Sequence, residues 1–231
     1  AEQSNARRMK QQALRRPPCN NWLNSLALVG VMQRLAGRLA DSATTFDRAV
    51  GLAPQIPGQA ASVLAAVHQE AAKTAQQMGD AARAERHVRA MIDIDTRTGG
   101  ADSEYAIFGW RTLAGLLAGN GRVDDARALF ADCHARLARH AAAAPAEEVA
   151  RTLQALCVQE ALVLREAGDA AAALRRIDEA VALGIDPAVV PQTVTRLHLE
   201  RGDTLLALGR IDEAAAALQH ARELRRRFAF D

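Results

Sequence analysis

Five glycines divide this chain at nearly even intervals. Gly37, Gly79, Gly121, Gly168 and Gly209 are separated by 42, 42, 47 and 41 residues, and each stands in the same local pattern. A block of about 18 residues with apolar positions at helical spacing precedes each glycine. A polar residue follows it: Arg38, Asp80, Arg122, Asp169 or Arg210. Five positions on comes a small residue (Ser42, Ala84, Ala126, Ala173, Ala214). At nine comes a larger apolar one (Phe46, Val88, Phe130, Ile177, Leu218), and at twelve Ala49, Met91, Cys133, Ala180 or Ala221. The pattern predicts a helix ended by a left-handed glycine, then a second amphipathic helix. The small residues let the two helices approach closely and the larger one fills the gap. One such pair cannot bury its own apolar face, so five copies at one period predict a stack.

Composition agrees and excludes the alternatives. Of 231 residues 52 are Ala, whereas only 3% are aromatic, which favours helix throughout and leaves little material for a sheet. At 49% hydrophobic the chain is too apolar to be disordered. No uncharged apolar run is long enough for a transmembrane helix, and no secretory signal peptide is visible. A net charge of +2 points neither to nucleic acid nor to an anionic membrane. Lys10 and Lys73 are the only lysines, a bias that fits a GC-rich genome. Cys19, Cys133 and Cys157 form no CxxC spacing and read as reduced thiols in a cytoplasm.

The third copy is the most diagnostic. Trp110, Leu113, Ala114 and Leu117 lead to Gly121, Ala126 and Phe130, and the small residue between helices recurs as Gly30, Ala72, Ala161 and Gly202. This resembles the tetratricopeptide-repeat (TPR) family over nearly the whole chain. A period near 42 exceeds the family's usual roughly 34 residues and is similar to the longer repeats of bacterial regulatory sensor domains and kinesin light chains. The resemblance implies an all-α, TPR-like α-solenoid of about five helix-turn-helix repeats in a right-handed superhelix. The repeats run approximately 21–54, 58–97, 102–141, 145–185 and 187–230. Ala6, Met9, Ala13 and Pro18 make residues 1–18 the second helix of a preceding half-repeat. Asp186-Pro187 reads as an N-cap followed by proline in the first turn of the next helix, and Glu147-Glu148 suit a helix N-terminus. The chain begins with Ala, not Met, and no capping helix follows Arg225-Arg226-Arg227, so both ends read as cut from a longer protein. Open end faces predict an end-to-end homodimer of the isolated chain.

Residues that carry chemistry are missing from the pattern. There is no phosphate loop, HExxH, GxSxG or paired CxxC, so no catalytic residue, metal or cofactor is expected. Cys133 occupies the small-residue packing position, and the adjacent His134 points about 100° away from it. His68 and His198 stand where the family often packs an aromatic, and both read as partly buried packing. The basic turn at Arg222 to Arg227 reads as a solvated helix end, with no direct nucleic-acid contact.

What remains is a surface. In TPR geometry the first helices line a concave groove, which implies outward-facing Gln69, Lys73, Gln76 and Gln77 in the second copy. The third copy contributes Phe108, Arg111, Gly115 and Ala118, and the fourth Val158, Leu162 and Arg165. The fifth adds Arg196, Leu199, Asp203 and Leu206. Gly115 and Ala118 would leave room at an apolar centre, with Arg111, Arg165 and Arg196 holding an amphipathic helix or extended peptide in register. Only Lys73 fits a terminal-carboxylate clamp of the chaperone-binding type. The expected role is a non-catalytic interaction domain for a partner protein or peptide. It would be the cytoplasmic sensor or regulatory part of a larger bacterial signalling or transcription-regulatory protein, similar to LuxR-type activators. The alternatives are a scaffold or chaperone for secretion or envelope assembly, and a receptor for a small-molecule effector in an enclosed pocket.

Overall fold

The computed structural model describes residues 20–56 and 60–228. Among the described residues there are ten α-helices, one short 3-10 segment and no strand. They form pairs: α1 (Asn20–Leu35) with α2 (Leu39–Leu52), then α3 (Ala61–Gln77) with α4 (Ala81–Gly99). Next come α5 (Glu104–Gly119) with α6 (Val123–His140) and α7 (Ala146–Glu166) with α8 (Ala170–Ala182). The last pair is α9 (Pro191–Ala207) with α10 (Ile211–Phe228). The chain divides into two compact units between Thr98 and Gly99. The first unit holds two pairs and the second holds three. The half-repeat expected over residues 1–18 and the thiol of Cys19 lie outside the described residues.

Each pair turns on its glycine by one mechanism. The five repeat glycines have φ between 71° and 85°. Each glycine N–H donates to the carbonyl three residues back, and the next residue's N–H reaches the carbonyl five residues back, at 2.9 Å for Arg38 to Gln33 and 2.8 Å for Asp169 to Leu164. This pair of hydrogen bonds satisfies carbonyls the helix end would leave bare, and it needs a left-handed residue at the turn. The residue after the glycine then opens the second helix in one of two ways. Asp80 and Asp169 accept backbone N–H groups, from Arg83 at 2.9 Å and Ala172 at 3.1 Å. Arg122 and Arg210 instead pair with carboxylates one turn on, Asp125 at 2.7 Å and Glu213 at 2.6 Å. Both devices suit the positive end of a helix.

Within a pair the small residues set the distance. A Cβ on Gly30 would come within 2.7 Å of the Phe46 ring, and one on Gly202 within 2.6 Å of Leu218. Phe46, Phe130 and Ile177 are fully buried, as are the small residues five positions after each glycine. The core of the first unit gathers Leu23, Phe46, Ala49, Ala53, Val67 and Ala71. A core of the second is built on Cys157, Ala161, Leu164, Ile177 and Leu197. Copies are also joined by polar contacts: Ser42 Oγ lies 3.0 Å from Thr74 Oγ1, and His134 Nε2 lies 2.8 Å from Glu160 Oε2.

One helix boundary departs from the sequence expectation. α9 begins at Pro191, not at Pro187, with Val190 in the N-cap position. Asp186 Oδ1 accepts the N–H of Ala188 at 2.8 Å, and its carbonyl accepts that of Val189 at 3.0 Å. The aspartate therefore closes a turn of its own, an alternative that short polar side chains offer in competition with helix. A helix begun at Pro187 would also have placed Pro191 inside it, with a missing N–H and a ring clash one turn back.

Candidate functional site

The first helices of the second unit form a half-open trough of about 590 Å³. It is lined by Arg111 of α5, by Ala155, Val158, Gln159 and Leu162 of α7, and by Gln192, Thr193 and Arg196 of α9. Counted back from each repeat glycine, Ala155 and Arg196 share one position (168 − 155 = 209 − 196 = 13). Arg111 and Val158 share another (121 − 111 = 168 − 158 = 10). Half of the lining thus falls at positions that recur between neighbouring repeats, because each first helix turns a similar stripe to the trough. Its floor is apolar, with Val158 buried and Leu162 half-buried.

Arg111 is held in place within it. Its Nη1 donates to the Ala155 carbonyl at 2.8 Å, and the guanidinium lies 5.2 Å from the centre of the Phe108 ring. Burial holds its pKa below the usual arginine value, with repulsion from Arg196 acting the same way. Arg196 is exposed, its Nε 3.9 Å from Glu200 Oε1. Glu200 is engaged more closely by Arg165, whose Nη2 reaches Oε2 at 3.0 Å.

The residues expected to face the groove therefore separate. Arg111, Val158, Leu162 and Arg196 come together in the trough. Phe108 supports Arg111 from its own helix, and Arg165 is tied to Glu200 across a repeat junction. Asp203 and Leu206 are exposed further along α9. Gly115 does not leave the room expected of it: the Gln159 amide occupies the space where its Cβ would stand. Lys73 sits in the first unit, on Glu70 Oε1 at 2.5 Å, and Glu70 also takes Arg34 at 2.7 Å. Gln69 is half-buried and Gln76 is exposed on the same helix, α3.

Gln159, Gln192 and Thr193 were not among the residues expected to line the groove. Starting α9 at Pro191 places Gln192 and Thr193 in its first turn, at the lip of the trough. Gln159 was detectable from register, since it aligns with Glu70 and Glu200, all nine residues before a repeat glycine.

The remaining candidate groups are structural. Burial raises Cys133 and Cys157 to about 12, so both thiols stay protonated and unreactive near neutral pH. Among the described residues no three potential ligands gather for a metal. His68 is buried with its Nδ1 3.0 Å from Nδ1 of His87, and its pKa falls to about 4 through burial and then through His87. His198 packs edge-on to His220 with centroids 4.4 Å apart, and burial likewise lowers it to about 4.

No protein-family model matches this chain, and no curated protein does. Solved structures do. A putative kinesin light chain with nearly identical TPR-like repeats from Podosopora anserina superposes with a TM-score of 0.67 at 17% identity, over 91% of this chain and 97% of that one. The fold is that of TPR-like repeat proteins. PlcR of Bacillus thuringiensis, in complex with the peptide PapR7 and DNA, matches with a TM-score of 0.59 at 13% identity, over 90% of this chain and 72% of that one. The Rap conjugation gene regulator of plasmid pLS20, in complex with a Phr peptide, matches with a TM-score of 0.64 at 18% identity. That match covers 87% of this chain and 52% of the regulator, so this chain spans about half its length.

Proposed function

We propose that this chain is a non-catalytic protein-interaction domain that takes a partner protein or peptide into the trough across α5, α7 and α9. We further propose that it serves as the cytoplasmic sensor or regulatory part of a larger bacterial signalling or transcription-regulatory protein. The observation that carries the reading is the trough itself: an apolar floor flanked by hydrogen-bonding and cationic side chains from the first helices of three successive repeats. Such a row suits a chain segment laid across the helices. PlcR and Rap support the regulatory setting, since both are TPR-like and both were solved with peptides. Among the described residues no helix is long and apolar enough to cross a membrane. The trough's open side favours a chain segment over a small molecule held in an enclosed pocket.

The test is capture of a partner from a lysate of the source organism, with the chain as bait beside a variant carrying Arg111→Glu and Leu162→Asp. A partner held by the first bait and lost by the second, at unchanged helicity, supports the reading. A partner retained by both moves the binding surface away from the trough.

A further inference from the structure

Arg111 is a cation without an anion. Arg34, Arg136 and Arg165 are likewise partly shielded from solvent, and each has a carboxylate within 3.0 Å. Arg111 has a carbonyl and a ring instead, and among the described residues it takes part in no ion pair. The only other charged residue of the lining is Arg196. The eight lining residues thus carry two positive charges and no negative one, above the apolar floor of Val158 and Leu162. Desolvating a guanidinium without a counter-charge is costly, and a carboxylate brought to it relieves that cost. Gln159, Gln192 and Thr193 add neutral donors around the same space.

Resting on the reading of the trough as a peptide site, we propose that its occupant is an internal segment of a partner chain carrying an acidic side chain next to an apolar one. The carboxylate bridges Arg111 and Arg196, and the apolar side chain lies on Val158 and Leu162. Arg111 is the anchor, since the Ala155 carbonyl and the Phe108 ring fix its plane before any ligand arrives. Arg196, exposed and weakly tied, closes as the second arm. An internal residue is favoured over a chain terminus because all eight lining residues come from helix flanks, so no loop or turn in the lining walls off an end to stop a chain. A fixed guanidinium also favours a planar, two-oxygen acceptor over a neutral amide.

The experiment uses fluorescent octapeptide pools, acetylated and amidated, randomised except for a central pair of Leu-Glu, Leu-Gln or Leu-Lys. A fourth pool carries Leu-Gln with a free C-terminal carboxylate. Retention on the immobilised full chain is measured for each. The expected result is that the Leu-Glu pool is held about tenfold better than the Leu-Gln pool, with Leu-Lys weakest, as a charge-assisted hydrogen bond would give. Arg111→Gln abolishes that preference, and Arg111→Lys restores part of it. Arg196→Gln, at an exposed position with no bearing on folding, lowers it several-fold. Equal retention of all three central pairs, lost together in Leu162→Asp, overturns the acidic occupant while leaving the peptide trough standing. Best retention of the free-terminus pool overturns the internal segment. Retention of no pool overturns this inference, and the lysate capture then decides the broader reading by itself.

Discussion

The two units present equivalent surfaces with opposite electrostatic outcomes. In the first unit the cations on this face are neutralised, because Glu70 accepts Arg34 at 2.7 Å and Lys73 at 2.5 Å. In the second unit the residue in the register of Glu70 is Gln159, whose amide covers Gly115 and leaves Arg111 unmatched. The next copy returns to Glu200, which holds Arg165 as Glu70 holds Arg34. An arginine three residues before one glycine and a glutamate nine before the next thus form a staple between successive first helices (37 − 34 = 168 − 165 = 3; 79 − 70 = 209 − 200 = 9). Arg111 stands ten residues before its glycine, outside the staple's arginine position, and among the described residues it meets no carboxylate. At the receptive junction an amide, Gln159, replaces the carboxylate of that register, and Ala118 stands where the staple has its arginine (121 − 118 = 3).

The comparison can be broken in its common part first. Phe46 and Phe130 fill the same gap in the two units, and both are fully buried. Truncating either to Ala is expected to cost about 3–5 kcal/mol in denaturant unfolding. A much smaller loss in one unit would show that the packing rule is not shared. Next comes the staple. Glu70→Gln leaves Arg34, whose side chain is 12% exposed, without its partner, and a loss of about 1–3 kcal/mol is expected. The reciprocal change, Gln159→Glu, gives the second unit the residue of the first. It is expected to leave stability level or raised and to erase preference for the Leu-Glu pool in the same retention assay.

The histidine pairs are a feature the units share, and they sharpen the comparison through pH. His68 and His198 are held neutral in the fold, with pKa values near 4 against 6.5 for the free side chain. The unfolded chain therefore binds more protons between those values, and stability is full above pH 6.5 and falls as the pH drops towards 4. Urea midpoints at pH 7 and pH 5 are expected to converge in the double variant His68→Phe, His198→Phe. An unchanged pH dependence would assign the effect to other groups. The smallest difference lies in the two ways of opening a second helix. Asp169→Ala removes a cap hydrogen bond and is expected to cost about 1 kcal/mol. Arg38→Ala loses only a 3.9 Å exposed pair with Asp41 and is expected to change thermal stability by no more than about 0.5 kcal/mol.

Much of this was readable along the chain because it is local. Gly37 and its four equivalents announce themselves by period, and the turn they make involves residues within five positions. Phe46 against Gly30 is a contact inside one pair, so spacing alone implied it. Asp186-Pro187 misled because a capping signal and a turn signal use the same residue types. The second proline, four residues on, was the sign that decided between them. The candidate site was readable in part: Arg111, Val158, Leu162 and Arg196 follow from helical register, whereas Gln192 and Thr193 depended on where α9 starts. The room attributed to Gly115 was wrong because the side chain that fills it belongs to the next copy.

The sequence by itself determined that helices come in pairs, which residues lie between them, and which stripe each first helix turns outward. Those are consequences of backbone sterics at glycine and of a period that repeats. Only the tertiary structure decided which cations on that stripe are free. Charge pairing depends on side-chain ends meeting across a junction some 36 residues long, as Arg34 meets Glu70. Until the first helices stand side by side, Arg165 and Arg111 are two outward-facing arginines of equal promise. Stacking gives one of them a glutamate and the other a trough lined by no carboxylate.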